Sequence, residues 1–230
     1  MKIYALSDLH LSHAETKPMD IFGEVWINHM DIIVDHWVKI IREEDRVLIP
    51  GDISWAMRMD KARIDLDMLE DLPGYKICIR GNHDYWWDRP GKLNAQYNKL
   101  YFLQNKAYMI DKLAICGSRG WICAGSVNFN EEDERILDRE LIRLRLSLDD
   151  AIKNQAKEII VMLHYPPTNN ADRLSPFISL FKEYPVCHVV YGHLHDETSW
   201  QGALQGMNEG IRYDLVSADY LKFIPKLIRA

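Results

Sequence analysis

The chain has 230 residues, 47% of them hydrophobic and 27% charged, with a formal net charge of −6. That is enough apolar material for a sizeable buried core, and the acidic balance argues against a broad basic surface with nucleic acid as the main partner. No run of roughly 18 apolar residues offers a membrane span, and the apolar stretch in MKIYALSDLH is too short for a secretory signal.

In chain order, five apolar runs rich in β-branched and aromatic residues read as buried strands: IYALS, VLIP, YKICI, IIVML and VVYG. Between the first two, Ile32, Ile33, His36, Trp37, Ile40 and Ile41 recur at i, i+1, i+4, i+5 and mark one face of a helix. Leu66 and Leu69 mark a second helix, ended by Pro73-Gly74 before YKICI. A longer charged helix is expected from about 131 to 154, with Leu137, Leu141, Leu144 and Leu148 inward and the acidic run Glu131 to Glu134 as its solvated first turn. TSWQG and IRYDLVSA read as closing strands, antiparallel to their neighbours. Cys78, Cys116, Cys123 and Cys187 form no C-x-x-C pair and read as free thiols, which fits a reducing cytoplasm.

Five short polar motifs each sit just past one of the apolar runs. They hold Asp8 and His10 in SDLH, Asp52 in PGD, Asn82 and His83 in GNHD, His164 in LHYPP, and His193 and His195 in GHLH. In open α/β sheets, ligands bind where strands end at their carboxyl edge. Asp, Asn and His supply the oxygen and nitrogen donors that divalent Mn, Fe and Zn accept, so the pattern is that of a two-metal site assembled by the fold. No stretch can be cut out as a domain without dividing these donors, and residues 1–230 are therefore read as a single domain. His13, His29, His36 and His188 lie outside the motifs and read as structural. Trp86 and Trp87 fit either a pocket rim or the core. In the irregular loop SRGWICAGSVNFN, Arg119, Trp121 and Asn128 are candidates for substrate contact, with an ordinary surface loop as the equal alternative.

The ordered blocks D-x-H, GD, GNHD, H and GHLH resemble the calcineurin-like metallophosphoesterases, over Asp8 to His195, and within them the small bacterial phosphodiesterase-type branch. The second block here, GDISWAM, lacks the GD-x-x-D-R-G of serine/threonine protein phosphatases. The resemblance implies an α/β fold of two stacked mixed β-sheets flanked by helices, a four-layer α/β/β/α sandwich. It also implies two divalent metal ions, Mn, Fe or Zn, one held by Asp8, His10 and His195, the other by Asn82, His164 and His193, with Asp52 bridging. A carboxylate has an oxygen for each cation, and ions about 3.5 to 4 Å apart can share a hydroxide while gripping a phosphoryl oxygen. Two divalent cations outweigh two carboxylates and one hydroxide, so such a centre favours an anionic ester.

His83 is implied to face the substrate, protonating the leaving oxygen or stabilising the phosphoryl group. Family members often orient it with a carboxylate three residues past the GD aspartate. That position is Trp55 here, which leaves Asp84, Asp60 or a backbone carbonyl as candidates. The expected activity is hydrolysis of a small phosphodiester or phosphomonoester by metal-bound hydroxide, with no membrane partner and no oligomeric state implied. A metal-dependent nuclease is the enzymatic alternative, disfavoured by the missing basic stripe. A non-catalytic binding module on the same fold is the other, and would be expected to have lost His83 or ligands that this chain keeps.

Overall fold

The computed structural model describes residues 1–14, 19–169 and 175–230. Its strands are β1 (Ile3–Ala5), β2 (Arg46–Ile49), β3 (Tyr75–Cys78), β4 (Leu100–Phe102), β5 (Tyr108–Ile110), β6 (Leu113–Ser118), β7 (Glu158–Leu163), β8 (Val186–Tyr191), β9 (Gly206–Asn208), β10 (Ile211–Leu215) and β11 (Lys226–Arg229). The α-helices are α1 (His29–Ile40), α2 (Met59–Asp71), α3 (Pro90–Asn94), α4 (Glu131–Lys153), α5 (Pro176–Phe181) and α6 (Glu197–Gly202). They fall into two compact units, Met1–Phe102 with Val216–Ala230, and Leu103–Leu215. Each unit carries one mixed sheet with helices against it, so the chain is α/β as expected.

In the first unit the strand order is β11-β1-β2-β3-β4. The strands β1 to β4 run parallel, and β11 closes the edge antiparallel to β1. The apolar face read in the sequence is the buried one: Ile33 and Trp37 of α1 join Leu66 and Leu69 of α2 over Val47, Ile49 and Cys78. Burial of each such large side chain contributes about 1.5–3 kcal/mol. The Trp37 indole N–H donates to the Pro73 carbonyl at 2.9 Å, tying α1 to the turn after α2. That turn requires Gly74, whose φ is +84° and where a Cβ would lie 2.7 Å from Ile41 Cγ2. Trp86 is buried and Trp87 packs beside it, both against Phe102, so both belong to the core.

The second unit has the order β5-β6-β7-β8-β10-β9. Its four central strands are parallel, with β5 and β9 antiparallel at the edges. Helix α4 starts on a capping box. The Asn130 side chain accepts from the N–H groups of Glu132 and Asp133, at 2.8 and 3.3 Å, while the Asp133 carboxylate accepts from Asn130 N–H at 3.1 Å. Leu137, Leu144 and Leu148 are buried as expected, and Leu141 is half-buried. The same face also buries Ser147, whose hydroxyl accepts from Gly117 N–H of β6 at 3.2 Å, and Glu140, which pairs with Arg143 at 2.6 Å.

Two expectations for the region after GHLH need correction. TSWQG is not a strand but part of α6, because the Asp196 side chain caps it by accepting from Ser199 N–H at 3.0 Å. The Trp200 indole then folds back to donate to the Leu194 carbonyl at 2.9 Å. IRYDLVSA does contain a strand, β10, but it runs parallel to β8 and antiparallel only to β9. Among the described residues no helix is long and apolar enough to cross a membrane.

Candidate metal and phosphoester site

In the first unit, the chain continues past β1, β2 and β3 as loops that stay bonded to one another. Asp8 N–H donates to the Gly51 carbonyl at 3.0 Å, His10 N–H to that of Asp52 at 3.0 Å, and Leu11 N–H to that of Ile53 at 3.0 Å. Asp8, His10 and Asp52 are thereby gathered at the carboxyl edge of the parallel strands, all three buried. His10 Nε2 lies 3.8 Å from Asp52 Oδ2, while Asp52 Oδ1 accepts from His83 N–H at 2.8 Å. Gly81 is obligatory in this packing, since a Cβ there would stand 2.1 Å from Asp52 Oδ1.

One carboxylate holds two of these loops together. Asp84 Oδ2 accepts from Asp52 N–H at 2.9 Å and Gly81 N–H at 2.8 Å; its Oδ1 accepts from Ile53 at 2.9 Å and Ser54 at 3.2 Å. Burial pushes its pKa up and the four N–H groups pull it down. Four donors and no acceptor among those partners fit the ionised carboxylate. Asp84 therefore spends its oxygens on backbone, and Asp60 makes an exposed pair with Arg58 at 3.1 Å. The ring that packs on His83 is Trp55, with centroids 4.3 Å apart. Trp55 also stacks on His10 at 4.7 Å with an interplanar angle of 21°. The residue standing in place of the family carboxylate thus touches both a metal-ligand candidate and the candidate acid.

In the second unit, His164 follows β7 and is fully buried. Its N–H and that of Tyr165 both donate to the Arg119 carbonyl at 3.0 Å, and its own carbonyl accepts from Gly192 N–H at 3.1 Å. The rings of His164 and His193 lie 5.0 Å apart at 71°, and His195 follows two residues on in the same loop after β8. Tyr165 packs on His193, with centroids 4.1 Å apart. The adjacency of Tyr165 to His164 was its only signal in the sequence.

Four of these donors lie in left-handed backbone, as do eight other non-glycine residues among the described ones. Asp8, His10, Asp52 and His193 have φ of 58°, 45°, 52° and 74°, a left-handed region that residues other than glycine rarely occupy. Such conformations cost of order 1–3 kcal/mol each and cluster at functional sites. The oxygen and imidazole donors fit Mn, Fe or Zn in chemical type.

The other singled-out residues have structural partners. His13 is held by Asp65 at 2.8 Å, His36 by the Phe223 carbonyl at 3.1 Å and His188 by Asp214 at 2.7 Å. His29 reaches the Trp26 and His10 carbonyls, and burial lowers its pKa. The Arg119 guanidinium lies over the Trp121 ring at 4.5 Å and 3.7 Å from the buried Glu140. The Trp121 indole donates to Asp133 at 3.0 Å, and Asn128 sits in the exposed turn before α4.

The sequence matches the family model of the calcineurin-like phosphoesterases over residues 1–197, which includes every donor named above. The chain belongs to the calcineurin-like phosphoesterase family. As a member it is a hydrolase acting on phosphate esters and carries residues suited to a metal. An uncharacterized protein of Methanocaldococcus jannaschii is 28% identical over 58% of this chain and 73% of its own length. A protein of Xenorhabdus bovienii named "probable cyclic nucleotide phosphodiesterase" is 22% identical over 87% of this phosphoesterase and 81% of its own length. A solved structure of a protein of unknown function from Aquifex aeolicus aligns at a TM-score of 0.45 and 16% identity, covering 98% of this chain and 94% of the other.

Proposed function

We propose that this phosphoesterase is a dinuclear metal-dependent hydrolase of a small phosphodiester or phosphomonoester, a single domain over residues 1–230. Asp8, His10 and His195 would hold one divalent ion, Asn82, His164 and His193 the other, and Asp52 would bridge them. The observation that carries the reading is the placement of all seven donors in loops directly after parallel strands, four of them in strained left-handed backbone. A bound pair of divalent ions would supply Lewis-acid polarisation of the phosphoryl group and an activated water at neutral pH.

The chain's own residues do the rest. Asp52 anchors the backbone of His83 through one oxygen, and the Trp55 ring packs on that of His83. In that position His83 would donate a proton to the departing ester oxygen. The name of the Xenorhabdus bovienii relative favours a diester, cyclic nucleotides included. The four cysteines stand as thiols, three of them buried, which suits a cytoplasmic setting. The test is turnover with Mn, Fe or Zn on a nitrophenyl diester, the matching monoester, a cyclic nucleotide, plasmid DNA and a phosphopeptide. The small esters are expected to lead. A tenfold advantage for DNA or phosphopeptide, roughly one 1.4 kcal/mol step in transition-state binding, would overturn the substrate class.

A further inference from the structure

Beside His193, wholly within the second unit, lies a cavity of about 340 Å³. Its walls are mostly apolar, with Ile122, Cys123, Val127, Tyr165, Pro166 and Leu194 among them, and among the described residues no Asp, Glu, Lys or Arg contributes to the lining. The two segments that form it are bonded to each other. Asn169 Nδ2 donates to the Ala124 carbonyl at 2.6 Å, and Cys123 Sγ to the Pro167 carbonyl at 3.6 Å. Gly125, with φ of +85°, lets the first segment turn there, and a Cβ would come within 3.3 Å of Asn169 Nδ2. The recess is thus built and braced by the fold.

Its position and chemistry limit what can enter. Tyr165 presents a planar ring in the wall and packs on His193 at 4.1 Å, so the recess adjoins a residue of the proposed centre. A second phosphate or a carboxylate entering it would lose water with no Lys or Arg among the described lining residues to replace it. The volume lies at the small end of ligand pockets, which run from about 300 to 1,000 Å³, and suits one ring rather than a polymer. We propose that this recess is the binding pocket for one ester substituent of the substrate, an uncharged aromatic or heteroaromatic ring. The inference rests on the phosphoesterase centre proposed above, because that centre places the phosphorus.

The test compares binding of phenylphosphonate, methylphosphonate and carboxyphenylphosphonate to the metal-loaded full chain by calorimetry, with inhibition of ester turnover as a second readout. Phenylphosphonate is expected to bind at least about tenfold more tightly than methylphosphonate, as burial of a ring implies, and more tightly than the carboxylated analogue. Ser126→Trp and, independently, Val127→Trp, each checked for an unchanged melting profile, should collapse the phenyl-to-methyl ratio toward one by filling the space. Equal affinities for phenyl and methyl, no measurable phenylphosphonate binding, or an unchanged ratio in both folded variants would overturn the pocket. Absence of turnover on every ester defeats the hydrolase reading separately, while the binding ratio still decides the pocket.

Discussion

At the scale of single residues, His83 is the group whose role is most open to direct test. Its backbone N–H is held by Asp52 and its ring packs on Trp55, and it is not counted among the seven proposed ligands. His83→Ala is expected to retain both metals and to slow an alkyl ester by about 10²- to 10⁴-fold. A nitrophenyl ester, whose leaving oxygen needs little protonation, should lose much less. Equal losses on the two esters would point to electrostatic stabilisation instead. Trp55→Ala should reproduce the same ester-dependent pattern more weakly, and Trp55→Phe should restore part of it. A Trp55→Ala enzyme with undiminished alkyl-ester turnover would remove Trp55 from the account. The sequence identified His83 through its GNHD context but could not show its packing on Trp55, because that is a ring contact between residues 28 positions apart.

At the scale of elements, the loops after β2 and β3 behave as one piece through Asp84. An asparagine there keeps one carbonyl oxygen but turns the other acceptor into a donor, which faces backbone N–H groups. Each buried N–H left without an acceptor costs about 1–3 kcal/mol. Asp84→Asn is therefore expected to lower the melting temperature and to raise the metal concentration needed for half-maximal activity. Unchanged values of both would show that the clamp is dispensable. The elements that carry donors were legible in the sequence, since each is a continuous apolar run ending in a polar block. The closing region was not. TSWQG alternates like a strand, yet a single capping aspartate makes it helical. The edge strand β11, half-exposed along its length, offers too little hydrophobic contrast to stand out.

At the scale of the whole molecule, stability should carry a pH signature from Lys76. This lysine is fully buried in β3, donates to the Leu72 carbonyl, and is pulled down by burial to about 8 from 10.5. Below pH 8 the folded chain must keep a buried charge that the unfolded chain hydrates, a cost of about 3 kcal/mol. Between pH 8 and 10.5 the unfolded chain binds more protons than the folded one, so this group's contribution to stability rises with pH. Lys76→Met is expected to be more stable than the parent by about 1–3 kcal/mol at pH 7, with the gap closing by pH 10.5. A gap that stays constant in denaturant titrations across that range would refute the assignment. The proposed centre also belongs to this scale, because Asp8, His10, Asp52 and Asn82 lie in one compact unit and His164, His193 and His195 in the other. Metal content of the purified chain, measured by elemental analysis beside that of Asp52→Asn, tests this most directly. Two metals per parent chain and loss from both positions in the variant are expected, with turnover falling in step; two metals retained in Asp52→Asn with normal turnover would contradict the bridging role.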